Sequence, residues 1–166
     1  ADVQIHGHAL ECRVYAEDAG NNWAPSPGRI VQYSEPSGAW VRVDSGVLEG
    51  DEVSVYYDPM IAKLIVWGRD REAAIGRLQR ALSEYRVQGI QTTIPFFKAL
   101  LDDKEFLSGQ YDTGFLSAEK MKDLVKAPAS QSIAEFAALI AQFESDVQSK
   151  PAQQTQYTSK WKWSYR

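Results

Sequence analysis

The sequence predicts an α+β domain in which an antiparallel sheet is laid down first and helices then pack on it. Two features carry that expectation. Residues 8–67 break into short strand-like runs separated by tight-turn residues, and after Gly68 the apolar spacing changes from two to three and four. With 166 residues, 44% hydrophobic and 11% aromatic, the chain is long enough to bury a core of its own.

The first element is "GHALECRVYAED", residues 7–18. His8, Leu10, Cys12, Val14 and Ala16 alternate with Ala9, Glu11, Arg13 and Tyr15, the period of a half-buried strand, so Arg13 points away from the apolar face. "GNN" at 20–22 and "PSPG" at 25–28 are turn chemistry, after which 29–33 restarts a strand. Residues 40–43 and 53–56 read as further short strands separated by "DSG" and "EGD", and the short spacing favours antiparallel pairing. "MIAKLIVW", 60–67, is almost continuously apolar, which predicts a central strand covered on both faces.

Helices follow. Asp70 is a suitable N-cap for a helix whose Ile75, Leu78, Leu82 and Tyr85 recur at helical spacing, with Arg77, Arg80 and Glu84 on the opposite side. After a β-like "YRVQGI", either Thr92 or Thr93 caps a helix with Pro95 in its first turn. Shorter helical pieces are expected around Phe106-Leu107 and Phe115-Leu116. Ser132 and Glu135 form a capping box for an amphipathic helix carrying Ile133, Phe136, Ile140, Phe143 and Val147. The expected organisation is a domain over 1–124, an additional helix within 125–147 and a polar linker over 148–166. That tail holds four basic residues and no acidic one, against 14 basic and 22 acidic residues in 1–147. Its "WKWSY" end is unlike a linker and reads as the start of another structural unit, or as a nonspecific sticky end.

Composition removes several functions. A net charge of −4 gives no basic footprint for nucleic acid. No apolar run approaches the roughly 20 residues of a membrane span. The single cysteine, Cys12, forms no internal disulfide and suits a reducing, cytoplasmic compartment. Without an initiator Met, the chain reads as a piece of a longer one. There is no glycine-rich phosphate loop and no serine elbow. His6 and His8 share a strand face but lack a third ligand, so no metal site is expected. Lys63, an amine in an apolar strand, either snorkels, pairs with a carboxylate such as Asp58, or has a function. Asp58 itself precedes Pro59, a turn arrangement, with pairing to an arginine as its sharper role.

Seven blocks, "GHALECRVYAED", "PSPGRI", "VRVDSG", "YYDPMIAKLIVWG", "DREAAIGRLQRAL", "GIQTTIPF" and "YDTGFL", in this order and spacing, resemble the C-terminal lobe of the biotin carboxylase component of biotin-dependent carboxylases. The resemblance runs from Ala1 to about Leu124. "VRVDSG" followed by "YYDPMIAKLI" is most similar to acyl-CoA carboxylase α chains of the propionyl-CoA and methylcrotonyl-CoA type.

The resemblance implies the barrel-like C-terminal lobe of an ATP-grasp enzyme that carboxylates carrier-bound biotin from ATP and bicarbonate. It places the family's ECR arginine on Arg13, facing bicarbonate and the developing biotin enolate. A guanidinium is always charged and offers a planar fork of donors, which suits both tasks. Asp58 falls on an acidic residue that pairs with an arginine from the N-terminal region. Thr113 falls where a side chain lines the adenine pocket. Arg42 falls on a dimer-interface arginine, but the aromatic residue that accompanies it in bacterial relatives aligns with Ala39, with Trp40 beside it, which weakens the case for a homodimer through this surface.

ATP, Mg2+ and biotin are implied for the full-length enzyme and none for this chain alone. The lysines, glutamates and lid that hold nucleotide and metal belong to the family's N-terminal and central ATP-grasp parts. The implied partners are those parts, the biotin carrier domain and the carboxyltransferase subunit. The isolated chain is therefore expected to be inactive. The alternative is a non-catalytic module that docks a carrier or partner subunit.

Overall fold

The computed structural model describes residues 2–125. The expected helix over 132–147 and the tail over 148–166 lie outside those residues. The chain runs through β1 (His8–Tyr15), β2 (Glu17–Asp18), β3 (Ala24–Pro25), β4 (Gly28–Arg29), β5 (Gln32–Ser34), β6 (Val41–Ser45), β7 (Glu52–Val53) and β8 (Met60–Gly68). Then come α1 (Arg71–Glu84), β9 (Arg86–Gln88), α2 (Ile94–Leu100), α3 (Lys104–Ser108) and α4 (Ala118–Val125).

β1, β8 and β6 form an antiparallel sheet in that spatial order, and β2–β3, β4–β7 and β5–β9 form separate two-stranded antiparallel ladders. The expected alternation in β1 is present: Cys12 and Val14 are buried, whereas Glu11 and Arg13 are exposed. Cys12 and Val14 join Leu64 and Val66 of β8 and Ile75, Leu78 and Leu82 of α1 in one core. β8 is central as expected, but it is covered on one face only. Lys63, Ile65 and Trp67 remain half-buried, because α1 occupies the opposite face and no described element covers theirs.

Two glycines make the strand–helix junctions possible. A Cβ on Gly68 would lie 2.4 Å from the Ala74 nitrogen, so only glycine lets β8 turn this closely into α1. Gly89, at φ +100°, has a left-handed backbone beside the Arg29 carbonyl that a side chain would strike. α1 begins where expected: the Asp70 carboxylate accepts the Ala73 amide at 2.8 Å. At its far end the hydroxyl of buried Tyr85 meets that of half-buried Tyr33 at 2.6 Å, and Tyr33 meets Ser45 at 2.7 Å, so the phenols satisfy one another across the end of α1, β5 and β6.

Three expectations are corrected. The strand read over 29–33 is broken, because the chain changes partners within it: the Ile30 amide donates to Asp51 of the β7 side, and the Val31 amide to Gln88 of β9. The strand read over 53–56 stops at Val53. Val55, Tyr56 and Tyr57 follow at 63%, 87% and 83% exposure, with no ladder to hold them. The helix expected around Phe115-Leu116 begins instead at Ala118, where the Ser117 hydroxyl accepts the Lys120 amide. No helix among the described residues is long and apolar enough to cross a membrane.

Burial, with a smaller contribution from Glu11, pushes the Cys12 thiol up to about 12. The folded thiol therefore keeps its proton at pH values where an unfolded one, near roughly 8.5, has lost it. This contribution to stability is complete below the unfolded value and is lost as pH rises from there through about 12. Native protein at pH 8 is expected not to react with a disulfide reagent until denaturant is added, and prompt labelling of the folded protein would contradict that burial.

Candidate functional site

The outward face of the three-stranded sheet carries the charges. Register places Arg13 of β1 opposite Lys63 of β8, which lies opposite Asp44 of β6. In the next row Glu11 faces Ile65, which faces Arg42. Because strand side chains alternate with period two, all six share one face. Arg42 is committed: it donates to both carboxylate oxygens of Asp44, at 2.7 and 2.9 Å. That pairing, aided by the charge of Lys63, holds the Asp44 carboxyl below its usual range. Lys63 thus works on Asp44 and not on Asp58, the partner considered from sequence.

Arg13 is held more loosely. Its Nε donates to Glu11 Oε1 at 3.2 Å, with the two side chains 59% and 43% exposed. This bond and a weaker one with Tyr15 raise the guanidinium pKa further, so Arg13 is a permanent cation. Exposed contacts of this kind are easily exchanged for a better anion.

Asp58 comes to the same end of the β1–β8 ladder. Tyr15 pairs with Met60, and the Ala16 amide donates to the Pro59 carbonyl at 2.8 Å. The exposed Asp58 carboxylate accepts the Met60 amide at 2.9 Å, the turn-making role read from Asp-Pro. The Glu17 carboxyl is raised, first by burial and then by the Asp58 charge, so two carboxylates stand near one another here.

Thr93 stands at the N-cap position of α2, one of the two expected, but its hydroxyl is used elsewhere. Buried at 2% exposure, it precedes α2 but makes no side-chain cap bond. Its hydroxyl accepts the Tyr15 amide at 3.1 Å. A sequence shows a Thr before a helix; it does not show that a strand some 80 positions away claims the hydroxyl.

Thr113 lies on another element, exposed in the turn between α3 and α4. That turn is anchored by Arg71, whose guanidinium sits 4.8 Å from the Phe106 ring and 5.7 Å from the Tyr111 ring. Arg71 also donates to the Phe106 carbonyl at 2.5 Å. Asp112 folds the tip by accepting the Gly114 amide at 2.8 Å. Trp40, 62% exposed with φ +64°, lies with its ring 4.8 Å from that of Trp67 and tilted 46° to it, at the edge of the charged face. Among the described residues no group of three His, Cys, Asp or Glu is placed to hold a metal ion.

Replacing Arg71 with alanine is expected to speed amide exchange across 109–117 by about tenfold, the loss of roughly one cation–π and one charge-assisted contact, while β1 is unchanged. Exchange that is uniform with wild type would show that Arg71 does not anchor the turn.

Residues 11–118 match the family model described as biotin carboxylase C-terminal domain. A pyruvate carboxylase component of Methanothermobacter thermautotrophicus is 51% identical over 115 residues, 69% of this chain and 23% of that protein. The alpha component of mitochondrial methylcrotonoyl-CoA carboxylase of Mus musculus is 42% identical over 134 residues, 80% of this chain and 18% of that protein. Among solved structures, the biotin carboxylase domain dimer of Hydrogenobacter thermophilus 2-oxoglutarate carboxylase, in complex with MgADP, ADP and bicarbonate, superposes with a TM-score of 0.70 at 38% identity. The match covers 74% of this chain and 27% of that one. The chain thus spans about a quarter or less of the length of these relatives. By the family model and these relatives together, the chain belongs to the biotin carboxylase C-terminal domain family of biotin-dependent carboxylases.

Proposed function

We propose that this domain completes the biotin carboxylase site of an acyl-CoA carboxylase α chain, and that Arg13 is its catalytic contribution. The observation that carries the proposal is the pairing of Arg13: a permanent cation on the outward sheet face, restrained by an exposed hydrogen bond to Glu11 and a weaker contact with Tyr15, within the matched "ECR". A guanidinium presented this way receives a carboxylate-like anion through two parallel donors and stabilises negative charge as it develops, without proton transfer. Bicarbonate in the Hydrogenobacter structure is an anion of that shape.

The remaining parts of the reaction lie outside this chain. ATP supplies the activation of bicarbonate when bound, and biotin on its carrier domain receives the carboxyl group. By the family resemblance we assign Mg2+ to the ATP-grasp regions. Asp58 receives a cationic side chain from the N-terminal region; an arriving positive charge would relieve the crowding of Asp58 and Glu17. Thr113, at the tip of its exposed turn, meets the adenine of ATP. The acyl-CoA assignment rests on the likeness of "VRVDSG" and "YYDPMIAKLI" to acyl-CoA carboxylase α chains. The carboxyltransferase subunit handles the acyl group. A single buried cysteine suits a reducing compartment such as the cytoplasm.

A docking reading has one observation of its own. Exposed Trp40 and half-buried Trp67 form an aromatic pair beside the Arg42–Asp44 ion pair, an apolar centre with a charged rim, as interfaces have. We assign that edge to association with a second copy or a partner subunit.

In the complete enzyme, Arg13→Ala is expected to lower biotin carboxylation about 100-fold to 1000-fold while the protein stays folded. Near-normal turnover would leave docking as the better account. The purified 166-residue chain is expected to show no bicarbonate-dependent ATP hydrolysis, because positioning nucleotide, metal and bicarbonate needs groups it lacks. Measurable hydrolysis would overturn that expectation.

A further inference from the structure

We propose that Thr93 is the positioning residue for Arg13, acting as a one-residue substitute for a neighbouring strand. The inference rests on the proposed role of Arg13. β1 is an edge strand, so its outward backbone groups find no partner within the sheet. At residues 13–15 Thr93 supplies those partners. Its amide donates to the Tyr15 carbonyl at 3.1 Å. Its hydroxyl accepts the Tyr15 amide at 3.1 Å and turns its own proton toward the Arg13 carbonyl at 3.4 Å. One hydroxyl is donor and acceptor at once, which no apolar side chain of the same shape can be.

The position of this clasp matters as much as its chemistry. The β1–β8 register shifts between Val14 and Tyr15, so Ile61 has no partner opposite it. A bulge bends a strand and re-aims the side chains beside it. Arg13 is the last outward-facing residue before the bulge. Beyond it the chain is held at Ala16 by the Pro59 carbonyl, next to Asp58. Thr93 thus fixes the backbone at the one place where the regular ladder no longer does so.

A threonine ahead of a helix ordinarily gives its hydroxyl to that helix; here the Thr93 hydroxyl serves the strand, and the Ile94 amide at the start of α2 is left to the Thr92 hydroxyl at 3.4 Å. Local rules are broken in this way most often where a site needs it. Without the hydroxyl the half-buried Tyr15 amide loses its partner, the end of β1 loosens, and the guanidinium loses its aim.

The test uses the complete biotin carboxylase carrying this domain, with biotin, ATP and bicarbonate as substrates. Thr93→Val removes the hydroxyl at nearly constant volume, Thr93→Ser keeps it, and Thr93→Ala removes it without an added branch in case the valine variant folds poorly. Each is assayed well below its melting midpoint. The hydroxyl-free variants are expected to lose about three- to thirtyfold in kcat, with KM for ATP within about twofold of wild type, as for a reacting group displaced by a fraction of an ångström. Thr93→Ser is expected to retain most of the kcat. In an Arg13→Ala background, Thr93→Val is expected to cost nothing further, since both act through one guanidinium.

Unchanged kcat in the hydroxyl-free variants, a serine variant as poor as valine, or an undiminished valine effect in the Arg13→Ala background would each overturn the inference. If Arg13→Ala is slow but Thr93→Val is normal, only the positioning role falls. If Arg13→Ala itself turns over normally, the proposed role of Arg13 falls and the inference with it.

Discussion

Leu64 and Val66 of β8 share one core with Ile75, Leu78 and Leu82 of α1, and that burial fixes the direction of every side chain in three strands. Each fully buried leucine contributes roughly 1.5–3 kcal/mol relative to exposure. A slip of one residue by β1 against β8 would bring Arg13 into this core and carry Cys12 and Val14 into water. The sheet therefore admits one register. The charged rows on the outward face follow from the apolar rows on the other, so the site is positioned by packing that it takes no part in.

β1 could be read from the sequence because period-two alternation is a local property, and the start of α1 because Asp70 caps through a residue three positions away. What could not be read depends on distant partners. Ile30 and Val31 are adjacent, yet their amides go to Asp51 and Gln88, so an apparent single strand is divided between two ladders. The apolar run 60–67 suggested cover on both faces, but Ile65 and Trp67 are apolar without being fully enclosed. The hydroxyl of Thr93 faces a strand, not its helix, and only tertiary structure decides between those partners. Among site residues, the outward direction of Arg13 was legible from alternation. Its neighbours Lys63 and Asp44 were not, since register between strands some 50 and 30 positions away sets them.

The two arginines of the outward face show how pairing geometry separates a structural from an available charge. Arg42 and Asp44 are two residues apart on β6 and meet through two short bonds, so the guanidinium fork is matched by a carboxylate of the same width. An incoming anion would have to displace both bonds. Glu11 and Arg13 have the same spacing on β1 but meet through Nε alone, at 3.2 Å.

That difference bears on how a charge can be both held and free. An exposed pair such as Glu11–Arg13 adds little stability, because water and salt solvate its separated ions almost as well. It does restrict where the guanidinium points while the face is open. Once the rest of an enzyme covers this face, solvent is excluded and each surviving electrostatic contact strengthens. An anion that offers two acceptors then competes favourably with the single oxygen of Glu11. If Arg13 has the proposed role, Glu11 is a placeholder that keeps the guanidinium oriented until an anion replaces it.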